Sequence, residues 1–360
     1  MKVIILGGTG FVGRHLVRYL VNLDMIEMIR VCDKNPPEIS WLNEDDTILY
    51  KHQSVNYMMS NLFNPSSVAK VFNLDGSQFD IVINLASTAD YGKENEIYEE
   101  RVIGVARVCG EEAKRRGIKK WIEVSTGQVY KSSSSSSKEN DKLKPWTAVA
   151  ASKLKAEQIL VEMGLPLIII RPSTIYGPGD IFGIMPRLVC GAVYKKLNEE
   201  MQFLWSDDLQ INTVHVRDVA KAIWFLAEKG TIGEVYNLSD LGKTTQMKIN
   251  MIISQIFNIK TSCLGSFKSA FARLNFQNVV ESVNEKHMQP WGDLMTEYNI
   301  TLSPLTPYLE PELLYNNDLA LDGSKITKLG FVYDFTEITV DLILESLRYW
   351  ISINAFPALI

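Results

Sequence analysis

The sequence predicts an α/β protein that has a doubly wound parallel sheet and a smaller, mostly helical C-terminal lobe. In the N-terminal half, short apolar runs alternate with longer segments of helical periodicity. Unbroken apolar runs of this length are typical of parallel strands that helices cover on both faces. After residue 170 the alternation weakens, one strand-helix pair follows at Thr213–Glu228, and the remaining patterns are mostly helical. We therefore expect a nucleotide-binding domain at 1–172 plus 212–240, and a substrate lobe at 173–211 plus 241–360.

Individual elements follow from the same patterns. Five apolar runs are predicted as buried strands: Lys2–Leu6, Met28–Cys32, Asp80–Leu85, Trp121–Val124 and Leu167–Ile170. Four segments are predicted as helices: Phe11–Leu23, Pro65–Phe72, Glu96–Arg116 and Pro145–Met163. Gly117 and Gly164 stand where glycine commonly ends a helix. A further amphipathic helical stretch at Phe267–Leu294 is expected to pack into the core of the second lobe.

Composition excludes several classes of function. The 360 residues carry a net charge of −5 and no long basic run, so nucleic acid is not an expected partner. No run reaches the ~20 apolar residues of a membrane span. The four cysteines and four histidines are scattered, which predicts no metal site and no disulfide and favours a cytoplasmic protein. The serine run Ser132–Ser137 is expected to be a flexible, solvated loop.

A glycine-rich turn follows the first strand and opens the first helix, in the segment Gly7-Gly8-Thr9-Gly10-Phe11-Val12-Gly13. In such a turn Gly7 allows the tight bend, Gly10 allows close approach of a pyrophosphate, and Gly13 allows close packing of the helix on the sheet. The helix N-terminus offers free amide donors to the phosphates. This segment, with Thr9, Phe11 and Val12, is therefore predicted to bind a dinucleotide.

A carboxylate at the end of the second strand bears on which dinucleotide is bound. Asp33 lies twenty residues after Gly13, where it can accept hydrogen bonds from the adenosine ribose and would repel a 2′-phosphate. NAD is therefore favoured over NADP. Arg14 and Lys34 argue the other way, because either side chain could pair with a 2′-phosphate.

Further motifs accompany the glycine turn: Asn61-Leu62, Asn84-Leu85-Ala86, Val124-Ser125-Thr126-Gly127-Gln128-Val129-Tyr130, Lys153, Arg171-Pro172, Tyr176-Gly177-Pro178-Gly179 and His215-Val216-Arg217-Asp218-Val219-Ala220. With them the chain resembles the extended short-chain dehydrogenase/reductase superfamily, of NAD-dependent epimerase/dehydratase type, from Met1 to about Ala227. The resemblance implies a Rossmann-type sheet that carries NAD, with Asn61 and Leu62 near the adenine and with Leu85 and Ala86 beside the cofactor. It also implies a second lobe that closes over a substrate cleft.

The chain departs from the superfamily at its catalytic tyrosine. The superfamily places this tyrosine four residues before the lysine on one helix, and four residues before Lys153 stands Val149. Arg101 stands where an asparagine is usual. Of the usual tetrad only Thr126 and Lys153 remain, and Lys153 can still bind the nicotinamide ribose.

Two other tyrosines are conceivable substitutes for the missing one. They are Tyr176 and Tyr130, although each has a packing or backbone-orienting role in this superfamily.

Positions that contact substrate in the superfamily also differ. Gly127 and Gln128 replace the Asp-Glu pair of sugar-nucleotide dehydratases, which disfavours dehydration. Ile211 replaces an arginine that holds the nucleotide diphosphate. The resemblance gives His215 a structural role.

Two hypotheses of function follow. The first is an NAD(H)-binding protein with a degenerate catalytic site, serving as a cofactor-dependent sensor or as a subunit of a larger assembly. The second is an active NAD-dependent oxidoreductase or epimerase for a sugar, a sterol or another hydroxy or keto compound, with Thr126, Lys153 and a non-standard proton donor. By analogy with the superfamily, either form could be a homodimer.

Overall fold

The computed structural model describes residues 1–23, 25–74, 76–265 and 276–360. The strands are β1 Lys2–Leu6, β2 Met28–Asp33, β3 Val55–Met59, β4 Ile81–Asn84, β5 Lys120–Val124, β6 Leu167–Pro172, β7 Thr174–Tyr176, β8 Met201–Phe203, β9 Thr213–His215, β10 Val235–Leu238 and β11 Thr261–Cys263. The α-helices are α1 Phe11–Asn22, α2 Glu44–Leu49, α3 Pro65–Val71, α4 Asn95–Tyr98, α5 Val105–Arg116, α6 Ala148–Glu162, α7 Met185–Leu197, α8 Val216–Lys229, α9 Gln246–Phe257, α10 Phe276–Glu297, α11 Ser324–Lys328 and α12 Val340–Ser352.

Seven parallel strands form the central sheet, in the order β10-β6-β5-β4-β1-β2-β3. This arrangement confirms the predicted fold class. The chain reverses its direction of winding at β1, which lies between β2 and β4, and ligands of such sheets bind at the carboxyl ends of the strands at this point. The sequence patterns identified five of the seven strands and missed β3 and β10.

Helices cover both faces of the sheet. Helices α1 and α8 pack on one face, where Leu16, Val17, Ile223 and Trp224 are buried against the strands. Helices α5 and α6 pack on the other face. Strand residues are therefore buried on both sides, which explains why the strands are almost continuously apolar.

A separate apolar core lies in the C-terminal part of the chain. It is formed largely by α7, α9, α10 and α12, whose largest fully buried side chains are Phe257 and Trp350. Helix α10 agrees with the predicted amphipathic helix from residue 276 onward, and Trp291 on it is buried as expected. The part of that prediction at 267–275 lies outside the described residues.

A buried ion pair connects α6 to the sheet. Arg171 on β6 forms two hydrogen bonds to the carboxylate of Glu157 on α6, with N–O distances of 3.1 and 2.6 Å. The same guanidinium donates to the hydroxyl of Tyr130 at 2.9 Å, and that hydroxyl donates to Asn237 at 2.7 Å. The network fixes α6 against β6, and so fixes the helix that carries Val149 and Lys153.

The serine run differs in part from the prediction of a flexible loop. Ser134, Ser135 and Ser136 are exposed as expected, but Ser137 is buried. The backbone carbonyl of Ser137 accepts from the amide of Asp322 at 2.9 Å and from the side chain of Asn237 at 2.9 Å. Both ends of the loop are thus tied to the residues around Asp318–Asp322, since the Ser132 hydroxyl also accepts from the amide of Asp318.

Candidate functional site

One cleft of about 1070 Å³ begins at the carboxyl end of β1 and extends into the C-terminal core. Of the predicted site residues, these line it: Gly7, Thr9, Gly10, Phe11, Val12, Gly13, Asp33, Asn61, Leu62, Leu85, Ala86, Thr126, Val149 and Lys153. Tyr176 does not line it. The fold therefore brings residues from six separate segments of sequence to the same cleft.

The glycine turn is shaped for close approach of a ligand. Gly7 has φ of +77°, and a Cβ there would lie 2.6 Å from the amide nitrogen of Ala86. A Cβ on Gly13 would lie 2.5 Å from the carbonyl oxygen of Gly8. At Gly10 the nearest atom to such a Cβ is 3.2 Å away, on the turn itself, so this glycine leaves the ligand side open. These positions fit the pyrophosphate cradle predicted from the sequence.

Asp33 and Arg14 have different roles around this cradle. The carboxylate of Asp33 accepts from the amide of Thr9 at 3.3 Å and from the amide of Asn35 at 3.2 Å, at the edge of the cleft. Arg14 is buried and directs all five of its donors inward, to the backbone oxygens of Thr9, Gly10, Ser40 and Trp41 and to the Tyr349 hydroxyl. Arg14 has no donor left for a 2′-phosphate, so the interpretation of Arg14 as a residue that favours NADP loses its basis. Of the two cations considered, only the exposed Lys34 could still pair with a 2′-phosphate.

Lys153 lies half-buried on α6 beside the carboxyl end of β5. Its Nζ donates to the carbonyl oxygen of Val124 at 3.0 Å. Burial lowers the pKa of Lys153, while the carboxylates of Glu123 and Glu157 act against that shift. Thr126, at the end of the same strand, accepts from the amide of Gln128 at 3.3 Å. Both residues of the remaining tetrad thus face the cleft at one strand end.

Position 149 has no group that could transfer a proton. Val149 is 5% exposed; it lines the cleft and packs into the apolar core beneath it. Arg101 lies in a π-helical turn, Glu99–Gly104, and its exposed side chain lines the cleft. Single π-helical turns are rare and frequently occur at functional sites.

The two tyrosines considered as substitutes for the missing catalytic tyrosine both have hydroxyls bonded within the protein. Tyr176 is fully buried, and its hydroxyl donates to the carbonyl oxygen of Glu337 at 3.4 Å, away from the cleft. Tyr130 is committed to Arg171 and Asn237. Neither is therefore placed to replace the missing phenol, and the suggestion of Tyr176 as a substitute is wrong because its hydroxyl lies outside the cleft.

Tyr91 is the tyrosine that sequence reasoning missed. It lines the cleft, and its hydroxyl accepts a hydrogen bond from Nε2 of Gln128 at 3.2 Å. The amide oxygen Oε1 of Gln128 accepts a hydrogen bond from the hydroxyl of Thr147 at 2.9 Å, and Thr147 caps the N-terminus of α6. Burial raises the pKa of Tyr91 to about 12. The sequence did contain a signal for this residue, because Tyr91 lies only seven residues after Asn84, the last residue of β4.

His215 lies outside the cleft and is fully buried. Its ring contacts those of Tyr176 and Phe335, with centroids 5.2 and 4.1 Å away, and its Nδ1 accepts from the amide of Arg217 at the start of α8. Burial lowers the pKa of His215 to about 3. This environment fits the structural role expected from the resemblance.

We expect His215→Asn to reduce the pH dependence of stability. The pKa of this histidine is lower in the folded protein than in the unfolded chain, so its contribution is present above pH 6.5 and is lost as the pH falls. Asparagine can keep the helix cap but does not titrate. The stability gap between the wild type and the variant should narrow by about 2 kcal/mol from pH 7.5 to pH 5. Urea unfolding at both pH values measures it, and a gap of constant size would contradict the burial argument.

The described ranges hold no cluster of three or more His, Cys, Asp and Glu residues that could bind a metal ion. Within the same ranges, no helix combines the length and apolar character needed to cross a membrane.

Comparison with known proteins agrees with the interpretation of the glycine turn and the cleft as a dinucleotide site. The model of the NAD dependent epimerase/dehydratase family matches residues 3–239, and the chain belongs to this family. Its membership confirms the predicted resemblance and the predicted class of cofactor.

The chain is also similar to individual relatives and to solved structures. It is 28% identical over 258 residues to dTDP-D-glucose 4,6-dehydratase of Dictyostelium discoideum, a match that covers 66% of this chain and 58% of that protein. UDP-glucuronic acid 4-epimerase from Bacillus cereus, in complex with UDP-glucuronic acid and NAD, has a TM-score of 0.70 and 18% identity, with 97% of this chain and 98% of that chain covered. DesIV, a dTDP-glucose 4,6-dehydratase from Streptomyces venezuelae with NAD and TYD bound, has a TM-score of 0.71 and 18% identity, with 97% of each chain covered. At this identity the two structures show a shared fold.

Proposed function

We propose that the protein is an active NAD-dependent oxidoreductase or epimerase that acts on a hydroxy or keto carbon of a small ligand. The observation that carries this proposal is that the glycine turn, Asp33, Thr126 and Lys153 line one cleft, which continues into the C-terminal core. The related dehydratases and epimerases favour an active enzyme over a degenerate one. They also make sugar nucleotides the first substrates to test.

The cleft residues fit NAD. The amides at the start of α1 would hold the pyrophosphate, Asp33 would accept from the adenosine ribose, and Lys153 would donate to the nicotinamide ribose. When bound, NAD supplies reversible transfer of a hydride between its nicotinamide and a substrate carbon. Because the donors of Arg14 are all used within the protein, we expect NAD to bind more tightly than NADP.

Proton transfer would fall to Tyr91. Its raised pKa keeps the phenol protonated at neutral pH, so in the direction of reduction it would give its proton to the substrate oxygen as the keto carbon accepts a hydride. In the direction of oxidation the phenolate form would take the hydroxyl proton as the hydride leaves for NAD, so this rate should rise with pH. The hydrogen bond from Gln128 occupies a lone pair of the hydroxyl and leaves its proton available to the ligand. Thr126 would hold the same substrate oxygen from the end of β5. Gln128 cannot itself act as an acid or base, so dehydration of the kind that uses the Asp-Glu pair is not part of this proposal.

A second candidate function is the binding of NAD without catalysis, as in a sensor or an assembly subunit. Val149 in place of the usual tyrosine is the observation that favours it. Under either function we propose that 1–172 plus 212–240 bind the cofactor and that 173–211 plus 241–360 bind the ligand. A homodimer stays a prediction.

Calorimetry with NAD and NADP, followed by turnover measurements, tests the proposal. The substrates to offer are dTDP-glucose, UDP-glucuronic acid and a 3β-hydroxysteroid, with NADH formation followed at 340 nm and products identified by mass spectrometry. We expect NAD to bind at micromolar concentrations and at least one substrate to be converted, with Lys153→Ala reducing the rate. Tight binding of NAD without conversion of any substrate would favour the non-catalytic function, and failure to bind either dinucleotide would contradict both.

A further inference from the structure

Arg187 is a cation in the cleft, and no described residue gives it an acidic partner. It lies in the first turn of α7, half-buried, and lines the part of the cleft that enters the C-terminal core. Its Nη1 donates to Oε1 of Gln246 at 3.2 Å. Within the described ranges no carboxylate lies within ion-pair distance of this guanidinium, although thirteen other ion pairs are present there.

Gln246, the hydrogen-bond partner of Arg187 among the described residues, is itself held firmly. Gln246 is buried, and its Nε2 donates to the carbonyl oxygens of Leu204 and Ser206 at 2.7 and 3.1 Å. These two bonds fix the side-chain amide so that its oxygen points to Arg187. The ring of Phe203 lies 5.8 Å from the guanidinium carbon on another side. The guanidinium is therefore held at the cleft wall, and most of its five donors have no hydrogen-bond partner among the described residues.

Partial burial of a guanidinium without an ion-pair partner costs free energy, and a bound anion would offset that cost. Burial lowers the pKa of Arg187 to about 10, so the side chain still carries its positive charge at neutral pH. Arginine donors suit the planar oxygens of phosphate and carboxylate, which they bind in pairs. The arginine that the superfamily would place at position 211 is an isoleucine here, and Ile211 also lines the cleft.

We propose that Arg187 binds the anionic group, a phosphate or a carboxylate, of the ligand that occupies the second part of the cleft. The inference rests on the proposed function only in taking that part of the cleft as the place of the substrate. The anion would belong to a nucleoside diphosphate or to a carboxylate with an apolar chain. Cys190 and Tyr194 follow Arg187 at helical spacing and also line the cleft, so the rest of either ligand could pack against them.

Calorimetry on the protein saturated with NAD tests this inference, since the bound dinucleotide occupies the glycine turn. In each of two pairs of probes one member carries the anionic group and the other lacks it: UDP has the diphosphate that uridine lacks, and decanoate has a carboxylate where decanol has a hydroxyl. We expect the anion of one pair to bind at least about 10-fold more tightly than its neutral partner, which is the lower end for a charged hydrogen bond. The pair that shows the preference identifies the source of the anion.

Two variants of Arg187 and one control locate the effect. Arg187→Leu should abolish the preference for the anion, and Arg187→Lys should retain part of it because the charge is kept. Lys196→Ala is the matched control, because Lys196 is a cation on the same helix that pairs with Glu297 at the surface. The control should leave the preference unchanged, and all variants should bind NAD as the wild type does.

The inference is overturned if neither anion is preferred over its neutral partner, or if Arg187→Leu keeps the preference while binding NAD normally. The preference for the anion and the affinity for NAD are both measured without turnover. A protein that binds the anion through Arg187 but converts no substrate would contradict the proposed function and support the anion site.

Discussion

Gly13→Val is expected to lower the affinity for NAD by about 100-fold or more. A Cβ at this position would lie 2.5 Å from the carbonyl oxygen of Gly8 and 2.6 Å from that of Gly7. Both are backbone atoms of the turn, so the turn must move and the amides at the start of α1 move with it. Calorimetry with NAD measures the loss, and circular dichroism checks that the variant is folded.

Gly292→Val is the matched control for that substitution. A Cβ at Gly292 would have no heavy atom within 4 Å, and the residue lies on α10, away from the glycine turn. We expect the control to bind NAD within about threefold of the wild type, because valine has a higher helix propensity than the glycine it replaces. A folded Gly13→Val protein with normal affinity for NAD would show that the turn does not hold the dinucleotide.

Tyr91→Phe is expected to lower the turnover rate by about 10²- to 10⁴-fold, the usual contribution of a general acid or base. Phenylalanine keeps the ring and removes only the hydroxyl that Gln128 holds in the cleft. Binding of NAD should change little, because the proposed function assigns no cofactor contact to this hydroxyl. Rates with the substrate that the wild type converts, together with NAD affinities, measure the two effects separately.

Tyr176→Phe serves as the control for this variant. It also removes a single phenolic hydroxyl, but one that is buried and bonded to the carbonyl oxygen of Glu337. Its rate should stay within about twofold of the wild type. Comparable losses in the two variants would argue that the hydroxyls act through stability, and a Tyr91→Phe enzyme of normal rate would remove Tyr91 from the mechanism.

The cofactor part of the cleft could be predicted from the sequence because its residues are local. The turn after β1, the helix start and the carboxylate that ends β2 all follow from glycine spacing and apolar periodicity. The two strands that were missed have weaker patterns. Strand β3 lies at the edge of the sheet and is only partly buried, and β10 is four residues long with the polar Asn237 in its middle.

The roles of polar side chains could not be predicted in the same way, because they depend on partners distant in sequence. Arg14 was expected as a candidate phosphate ligand, yet its donors go to Ser40, Trp41 and Tyr349, which the fold brings to it. Arg187 is the converse case, since only the structure shows that the described side chains it contacts, Gln246 and Phe203, are neutral.

The central claim is that this cleft performs NAD-dependent chemistry without a phenol at position 149. Rapid mixing of the NAD-saturated wild type and of Val149→Tyr with dTDP-glucose, UDP-glucuronic acid and the 3β-hydroxysteroid, with absorbance followed at 340 nm, tests it most directly. We predict that the wild type forms NADH with at least one of them, in a phase that Tyr91→Phe slows by about 10²-fold or more. A signal in Val149→Tyr with none in the wild type would contradict the claim and identify the native site as catalytically degenerate.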